Sequence, residues 1–273
     1  TDPYYNLALE EYVFEHMDRS NEYFMLWQNE KTVVVGKYQN TAQEINREFV
    51  RKHGIRVVRR LSGGGAVYHD TGNLNFTFIV DQREGFDFNF RRFALPVAET
   101  LADMGIRAEF TGRNDLVIEG RKFSGNSQYI RKGRIRHHGC IMISSDIQDV
   151  ASALRPKEAK FESKSAKSVR SRVTTVSEAA GRPVSVSAFT DALKRHIFAK
   201  DVESHEYELT PSDVEAARKL AADKYSSWEW NYGKSGNYNY AVSQRYEFGT
   251  VEISARIENG VIREITINGD FFG

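Results

Sequence analysis

Residues 59–75 read R-R-L-S-G-G-G-A-V-Y-H-D-T-G-N-L-N, and the fold turns on how that stretch is read. Ile55 to Arg59 is a β-rich run behind Gly54. Leu74 to Val80 is a second run, alternating Leu74, Phe76 and Phe78 with polar neighbours as a half-buried strand does. Three consecutive glycines between two strands serve poorly as packing. Gly63-Gly64-Gly65 therefore marks a place where another molecule approaches the backbone closely, with a flexible turn as the plainer alternative. Arg60 before the glycines and His69 after them could flank an anion held by free backbone N–H groups. The expectation is an acidic ligand on a glycine loop hung from a sheet.

Working outward, Asp2 reads as an N-cap with Pro3 in the first turn of a helix over Pro3–Met17. Tyr5, Leu9, Tyr12, Val13 and Met17 lie on its apolar face. Tyr23–Trp27 and Thr32–Val35 read as a β-hairpin, and Ala42–His53 as a helix stopped by Gly54. After a helix over Asn89–Met104 come short strands at Ala108–Phe110, Leu116–Ile118, Arg121–Ser124, Ser127–Arg131 and Ile135–Ser144. Glu119-Gly120 and Lys132-Gly133 supply hairpin turns between them. The pattern is α+β, a mixed, mostly antiparallel sheet with flanking helices, and not the regular alternation of a doubly wound fold.

Composition narrows the function classes. The 38 basic and 37 acidic side chains among 273 residues leave no global field to recruit nucleic acid or an anionic membrane. One cysteine, Cys140, excludes an internal disulfide and suits a reducing compartment. No apolar run is long enough to span a bilayer and the start is no signal peptide, so the expectation is a cytoplasmic protein.

A second group of unusual residues gathers at Gly112–Asp115, Arg121–Gly125 and His137–Gly139. Lys122 stands in a strand-like stretch beside Ser124-Gly125-Asn126-Ser127, where a phosphate or carboxylate could reach its ammonium; a solvated surface lysine is the alternative. Asp115 could ligate magnesium or simply serve a turn. His137 and His138 point to opposite faces of a strand, so at most one serves a given site. No third ligand makes them a zinc site.

Taken together, these pieces resemble the lipoate-protein ligase family. They are D-P-Y-Y-N-L-A-L-E-E-Y, W-Q-N, V-V-V-G-K-Y-Q-N, R-R-L-S-G-G-G-A-V-Y-H-D-T-G-N-L-N, G-R-N-D-L, G-R-K-F-S-G-N-S, H-H-G and S-V-R-S-R-V-T, running in family order across most of the first 175 residues. The resemblance implies a catalytic domain similar to that of biotin protein ligases. In it, ATP and Mg2+ activate lipoate or octanoate to an acyl-adenylate, and the acyl group passes to a lysine of a lipoyl-domain protein. By motif, Lys122 resembles the lysine that contacts the adenylate at its phosphate and carbonyl oxygens. Arg60, Ser62, Gly63, Gly64, Gly65 and His69 resemble the pocket wall, joined by Ser124 and His138. Asn114 and Asp115 resemble the residues near the phosphates and magnesium, with Asp115 the candidate metal ligand. Ser168, Arg170 and Arg172 fall in a stretch that resembles the loop that closes over the adenylate. Tyr38, Val67 and Phe76 could line an apolar acyl slot or belong to the core.

The resemblance also divides the chain into a catalytic domain over 1–200 and a linker with part of a C-terminal accessory domain over 201–273. Val186–Phe198 and a segment capped by Thr210-Pro211-Ser212-Asp213 and running to Lys224 read as helices, and Asn259-Gly260 as a hairpin turn. The accessory domain should continue past Gly273, and a first strand should precede Thr1, so both ends are expected to be trimmed. Implied partners are the acyltransferase subunits of 2-oxoacid dehydrogenases and the H protein of the glycine cleavage system, acted on by a monomer.

Cys140 departs from the pattern, standing where threonine is expected. It reads as a buried small hydrophobe or as the nucleophile of an ATP-independent octanoyl or lipoyl transferase. The accessory segment and S-V-R-S-R-V-T favour the ligase. A non-catalytic binding module would have lost Lys122, Arg60 and Asp115, and a biotin ligase would carry a different glycine loop.

Overall fold

Two turns organise the main sheet. Glu119-Gly120 and Lys132-Gly133 have positive φ at both positions, 50° and 74°, then 50° and 71°, the backbone that matches the twist of tight hairpins. The first joins β7 (Asp115–Ile118) to β8 (Arg121–Arg131), and the second joins β8 to β9 (Arg134–Met142). This is a computed structural model that describes residues 1–83, 89–112, 114–154, 171–198, 203–233 and 238–272. With β1 (Tyr23–Trp27), β5 (Asn73–Asp81) and β6 (Glu109–Thr111) the hairpins complete a six-stranded antiparallel sheet of order β1-β5-β9-β8-β7-β6. The two strands expected at Arg121–Ser124 and Ser127–Arg131 are one, because Gly125 and Asn126 stay paired to Cys140 and Gly139.

The expected hairpin of Tyr23–Trp27 with Thr32–Val35 does not form. β1 pairs with β5, whereas β2 (Thr32–Val35) lies parallel to β3 (Arg56–Arg59) and antiparallel to β4 (Val67–His69) in a second sheet. All four β2 residues are buried, and a strand covered on both faces needs a neighbour on each side. The glycine loop joins β3 to β4, so this small sheet carries it. The helix expected over 42–53 breaks into α2 (Thr41–Glu44) and α3 (Arg47–Lys52). There, the Asn46 side chain caps the second helix by accepting from Phe49 N–H at 3.2 Å.

β5 is buried on both faces rather than one. Phe76 enters the main core with Leu101, Leu116, Phe123 and Ile141, on the side of α4 (Phe90–Asp103). Each such side chain contributes about 1.5–3 kcal/mol on burial. The opposite row, Asn73, Asn75 and Thr77, is equally inaccessible, because α1 (Pro3–His16) covers it. α1 buries Leu7, Ala8, Glu10, Val13 and Phe14, and not the face expected from Tyr5, Leu9, Tyr12 and Met17. Tyr12 instead donates to Asp213 at 2.6 Å.

α5 (Ile147–Ala153) and α6 (Val176–Ala179) follow β9, and α7 (Val186–Phe198) forms as expected. α8 (Pro211–Leu220) starts with a full capping box at Thr210 and Asp213 and widens into a π turn over Ala221–Tyr225. α9 (Trp228–Tyr232) then docks on β3. The fully buried Arg59 donates to the carbonyls of Trp230, Gly36, Gln39 and Asn231, and to Thr41 Oγ1. A third sheet, β10 (Tyr240–Tyr246), β11 (Gly249–Glu258) and β12 (Val261–Gly269), is an antiparallel meander turned at Asn259-Gly260. Among the described residues no helix is long and apolar enough to cross a membrane.

Candidate active site

A cavity opens where the glycine loop, α1 and the pocket face of β5, β8 and β9 meet. One end is apolar, lined by Leu7, Trp27, Val34, Ala66 and Val67; the other carries Asn114, Lys122, Asn126 and Ser127. Of the three residues proposed for an apolar slot, Val67 lines it. Phe76 is core, and Tyr38 stacks on Phe271 outside it.

Lys122 reaches the cavity across Gly125. A bulge between Leu116 and Val117 shifts the β7–β8 register beside it, the kind of irregularity that re-aims a side chain. Its ammonium lies 2.8 Å from Asp115 Oδ1. A Cβ at Gly125 would stand 3.0 Å from that ammonium and 3.7 Å from Asp115 Oδ1, so glycine keeps the lane open. The Lys122 backbone is fixed by a parallel bridge to Val173: its N–H donates to Arg172 O at 2.8 Å and its O accepts from Thr174 N–H at 2.9 Å. Arg172 therefore stands beside the lysine, while Ser168 and Arg170 lie outside the described residues. Asn114 and Asn126 bond each other reciprocally, each side-chain amide donating to the other's carbonyl at 2.7 and 3.0 Å.

The glycine loop differs from the expected anion cradle. Arg60 is buried, and its guanidinium donates to Ser62 Oγ, Val34 O, Gly63 O and Gly65 O; it fastens the loop instead of flanking an anion. Burial pushes its pKa down to about 10, so it keeps its charge. The close approach expected at the glycines is made partly by the chain itself. A Cβ at Gly63 would overlap Phe271 O, and Gly64 N–H donates to that carbonyl at 3.2 Å. Gly65 alone of the three faces open space.

His69, unlike Arg60, is not a cation. Burial, aided by Arg60 and His138, pushes its pKa down to about 3. Asn6 Nδ2 donates to Asn29 Oδ1 at 2.9 Å, which orients the Asn29 amide to donate to His69 Nδ1 at 3.2 Å. The ring proton therefore sits on Nε2, which is buried without a protein partner in a residue that lines the cavity. His69 offers the cavity one neutral donor.

His138 faces the cavity and His137 the core, as the strand alternation requires. His138 Nδ1 lies 3.1 and 3.2 Å from the two Glu10 oxygens, and Nε2 lies 2.7 Å from Ser62 Oγ. Thr77 also donates to Glu10, and Arg136 stands 3.8 Å from it. Burial alone would raise the Glu10 pKa, but His138, Arg136 and these hydrogen bonds hold it at about 2. The order Ser62–His138–Glu10 resembles a hydrolytic triad. Ser62 is fully buried, does not line the cavity and accepts from Arg60 Nε at 3.1 Å, so it supports the wall and attacks nothing. Ser124 also lies outside the cavity lining, buried opposite Ile141.

Cys140 lines the cavity. Burial pushes its thiol pKa up despite the Gly125 N–H and the nearby Lys122 and Arg60, so it remains a thiol at neutral pH. Asp115, paired with Lys122, has no companions: no group of three or more His, Cys, Asp or Glu fit to hold a metal occurs among the described residues.

The buried histidines set a pH dependence. His69, His137 and His138 all have folded pKa values below the ordinary one, burial being the first cause. The stability they contribute is complete above about pH 6.5 and is lost as pH falls toward their folded values, at about 1.4 kcal/mol per pH unit for each. Glu10 adds a loss only below about pH 4. The melting temperature should therefore fall steadily from pH 6.5 to 4, and His69→Asn should flatten the slope. A melting temperature unchanged over that window would show that the histidines are not buried neutral.

The model of the Lipoyl protein ligase A/B catalytic domain matches residues 2–198, and that of the Bacterial lipoate protein ligase C-terminus matches residues 235–273. The chain belongs to the lipoate-protein ligase family. The ligase is 46% identical to Lipoate-protein ligase LplJ of Bacillus subtilis over 274 residues, covering 100% of this chain and 83% of that protein. Among solved structures it resembles a bipartite lipoate protein ligase, described with its E2 lipoyl domain, from Thermoplasma acidophilum. The TM-score is 0.77 and the identity 29%, over 84% of this chain and 91% of that one. It also resembles a lipoate-protein ligase A bound with ATP, with TM-score 0.75 and 25% identity over 85% and 94% of the two chains.

Sequence reading did not single out Leu7, Trp27 and Asn75, which line the cavity, or Glu10 and Asn29, which support its histidines. Glu10 had a legible signal: it follows Leu7 and precedes Phe14 at helical spacing, a charge on an apolar stripe. For the asparagines no local signal exists.

Proposed function

We propose that this ligase activates lipoate, or octanoate, with ATP to an acyl-adenylate. It then transfers the acyl group to a lysine of lipoyl-domain proteins, namely acyltransferase subunits of 2-oxoacid dehydrogenases and the glycine cleavage H protein. The observation that carries this reading is a cavity with an apolar end and, at its other end, Lys122 held across Gly125. The likeness to an ATP-bound ligase supports the nucleotide, and the likeness to a ligase described with its lipoyl domain supports the acceptor.

The chemistry follows from charge. A carboxylate and an ATP phosphate repel until cations lie between them. The Lys122 ammonium lies where both reach the cavity and offsets negative charge as it grows. Asp115 keeps that ammonium in place beforehand. The apolar end takes the acyl chain, at about 0.8 kcal/mol per buried methylene, and His69 Nε2–H, the fastened Gly63–Gly65 loop and His138 shape the wall around its head. In the second step a neutral acceptor amine attacks the acyl carbonyl and AMP leaves, so no enzyme nucleophile is required. Mg2+ fits this donor set as an ion brought on ATP, because it needs only one or two carboxylates besides phosphate oxygens. Asp115, with Asn114 beside it, would hold it, and the ion supplies further charge neutralisation. Ser168, Arg170 and Arg172 would cover the adenylate from the loop whose far end is fastened to Lys122.

The transferase alternative needs Cys140 as a thiolate, which its burial opposes. We also divide the chain near residue 200 into a catalytic unit, 1–200, and an accessory portion, 201–273, with the ligase working as a cytoplasmic monomer. The test is ATP- and Mg2+-dependent pyrophosphate release with lipoate, octanoate and biotin in parallel, and mass spectrometry for acyl-AMP. Release with lipoate and octanoate but not biotin, followed by a mass gain on a lipoyl domain, is the expected result. No release, with an acyl mass on Cys140 after mixing with a lipoylated carrier, would overturn it.

A further inference from the structure

One wall of the cavity comes from outside the two sheets and the helix α1 that build the rest. Phe272, three residues past the end of β12, is among the lining residues. Four ties hold its segment in place. Gly269 N–H donates to Tyr38 O at 2.8 Å, and Thr250 N–H donates to Asp270 Oδ1 at 2.6 Å. The Phe271 ring stacks on Tyr38 at 4.8 Å, and Phe271 O accepts from Gly64 N–H at 3.2 Å. The Phe272 ring then lies over Gly64, where a Cβ would come within 3.1 Å of its edge, and meets Phe90 edge-on at 5.8 Å. Gly63 and Gly64 are thus shaped to this segment, and the segment places an aromatic ring against the space an acid would occupy.

We infer that Phe272 is a specificity-determining residue of the acyl site: its ring limits the size of acid the cavity accepts, so that selectivity depends on the docked end of the third sheet. The inference rests on the ligase reading given above. A fixed aromatic ring suits the role, since it offers a large apolar surface with only two side-chain torsions to freeze. Removing it enlarges the cavity beside Gly64, and a larger ring intrudes.

The full chain is compared with Phe272→Ala and Phe272→Trp, using hexanoate, octanoate, decanoate, dodecanoate and lipoate. KM for each acid and for ATP is measured by pyrophosphate release, and binding of octanoate without ATP by titration calorimetry. Phe272→Ala should move the preferred acid to greater length and raise KM for lipoate roughly tenfold, while KM for ATP stays within about twofold. Phe272→Trp should move the preference to shorter acids. Opposite shifts of the optimum support the proposal. An unchanged acid profile, or an equal loss for every acid, overturns it by reducing Phe272 to a packing residue. Absence of pyrophosphate release from the unaltered chain with octanoate still bound would overturn the adenylation reading separately. The binding of the acid series to the two variants then decides the role of Phe272.

Discussion

Lys122→Ala should lower lipoate-dependent pyrophosphate release by roughly 10²–10³-fold, the loss typical when one preorganised charge-stabilising group leaves a reacting centre. The fold should survive. The side chain is 38% exposed and its ion pair with Asp115 lies at the surface of the cavity, where such pairs contribute at most about 1 kcal/mol. The strand register around it is held by backbone bonds to Arg172 and Thr174 that alanine keeps. Single-turnover adenylate formation and a thermal melt on the same preparation check both halves. Lys122→Arg should recover only part of the rate, because a planar fork does not fit the lane over Gly125 as a compact ammonium does. Near-normal release from the alanine variant would end the assignment of Lys122 as the catalytic cation.

The largest effect on stability is expected at Glu10. It is fully buried, accepts from Thr77 and His138, and is the nearest counter-charge to Arg136, which is itself fully buried. The Arg136 guanidinium otherwise lies over the Tyr129 ring at 5.5 Å. Glu10→Ala leaves that cation uncompensated in the interior, and breaking a buried pair from one side costs about 3–5 kcal/mol. Urea unfolding should register that loss. The double variant Glu10→Ala with Arg136→Met should recover most of it, since removing both charges removes the desolvation problem as well as the attraction. A single variant within about 1 kcal/mol of the parent would mean that water already screens the pair.

What the sequence disclosed depended on how far apart the causes lie in the chain. The turns at Glu119-Gly120, Lys132-Gly133 and Asn259-Gly260 were legible because two adjacent residues decide them, and all three have the positive φ they require. The capping box at Thr210 and Asp213 was legible for the same reason. The fate of Thr32–Val35 was not. Its partners are Arg56–Arg59 and Val67–His69, and a short apolar run carries no mark of which strand it will meet.

The site divides in the same way. Lys122, Asp115 and the glycine loop stand out as unusual local strings, and the structure brings Lys122 and the loop to one cavity, with Asp115 paired to the lysine. Their working states are set by distant residues: Asn6 and Asn29 choose the His69 proton, and Glu10 orients His138 from 128 residues away. Arg60 and His69 suggest anion-flanking side chains in the string and prove to be a loop fastener and a neutral donor. Hydrogen bonds to the carbonyls of Val34, Gly63 and Gly65 decide the first, and burial, which the string does not display, decides the second.

The three glycines at 63–65 answer to different neighbours, and this has a consequence for how such a chain can drift. Gly64 is held to glycine by its own backbone, φ 90°, and Gly36 by Gly64, whose carbonyl any side chain at Gly36 would overlap. Gly63 is held by Phe271, which comes from the far end of the chain. A descendant that lost the third sheet would release Gly63 to mutate while Gly36 and Gly64 stayed fixed. Gly65, where an added side chain would meet nothing in the protein, would go on recording only what the cavity binds. A motif that reads as one word is a record of three separate histories.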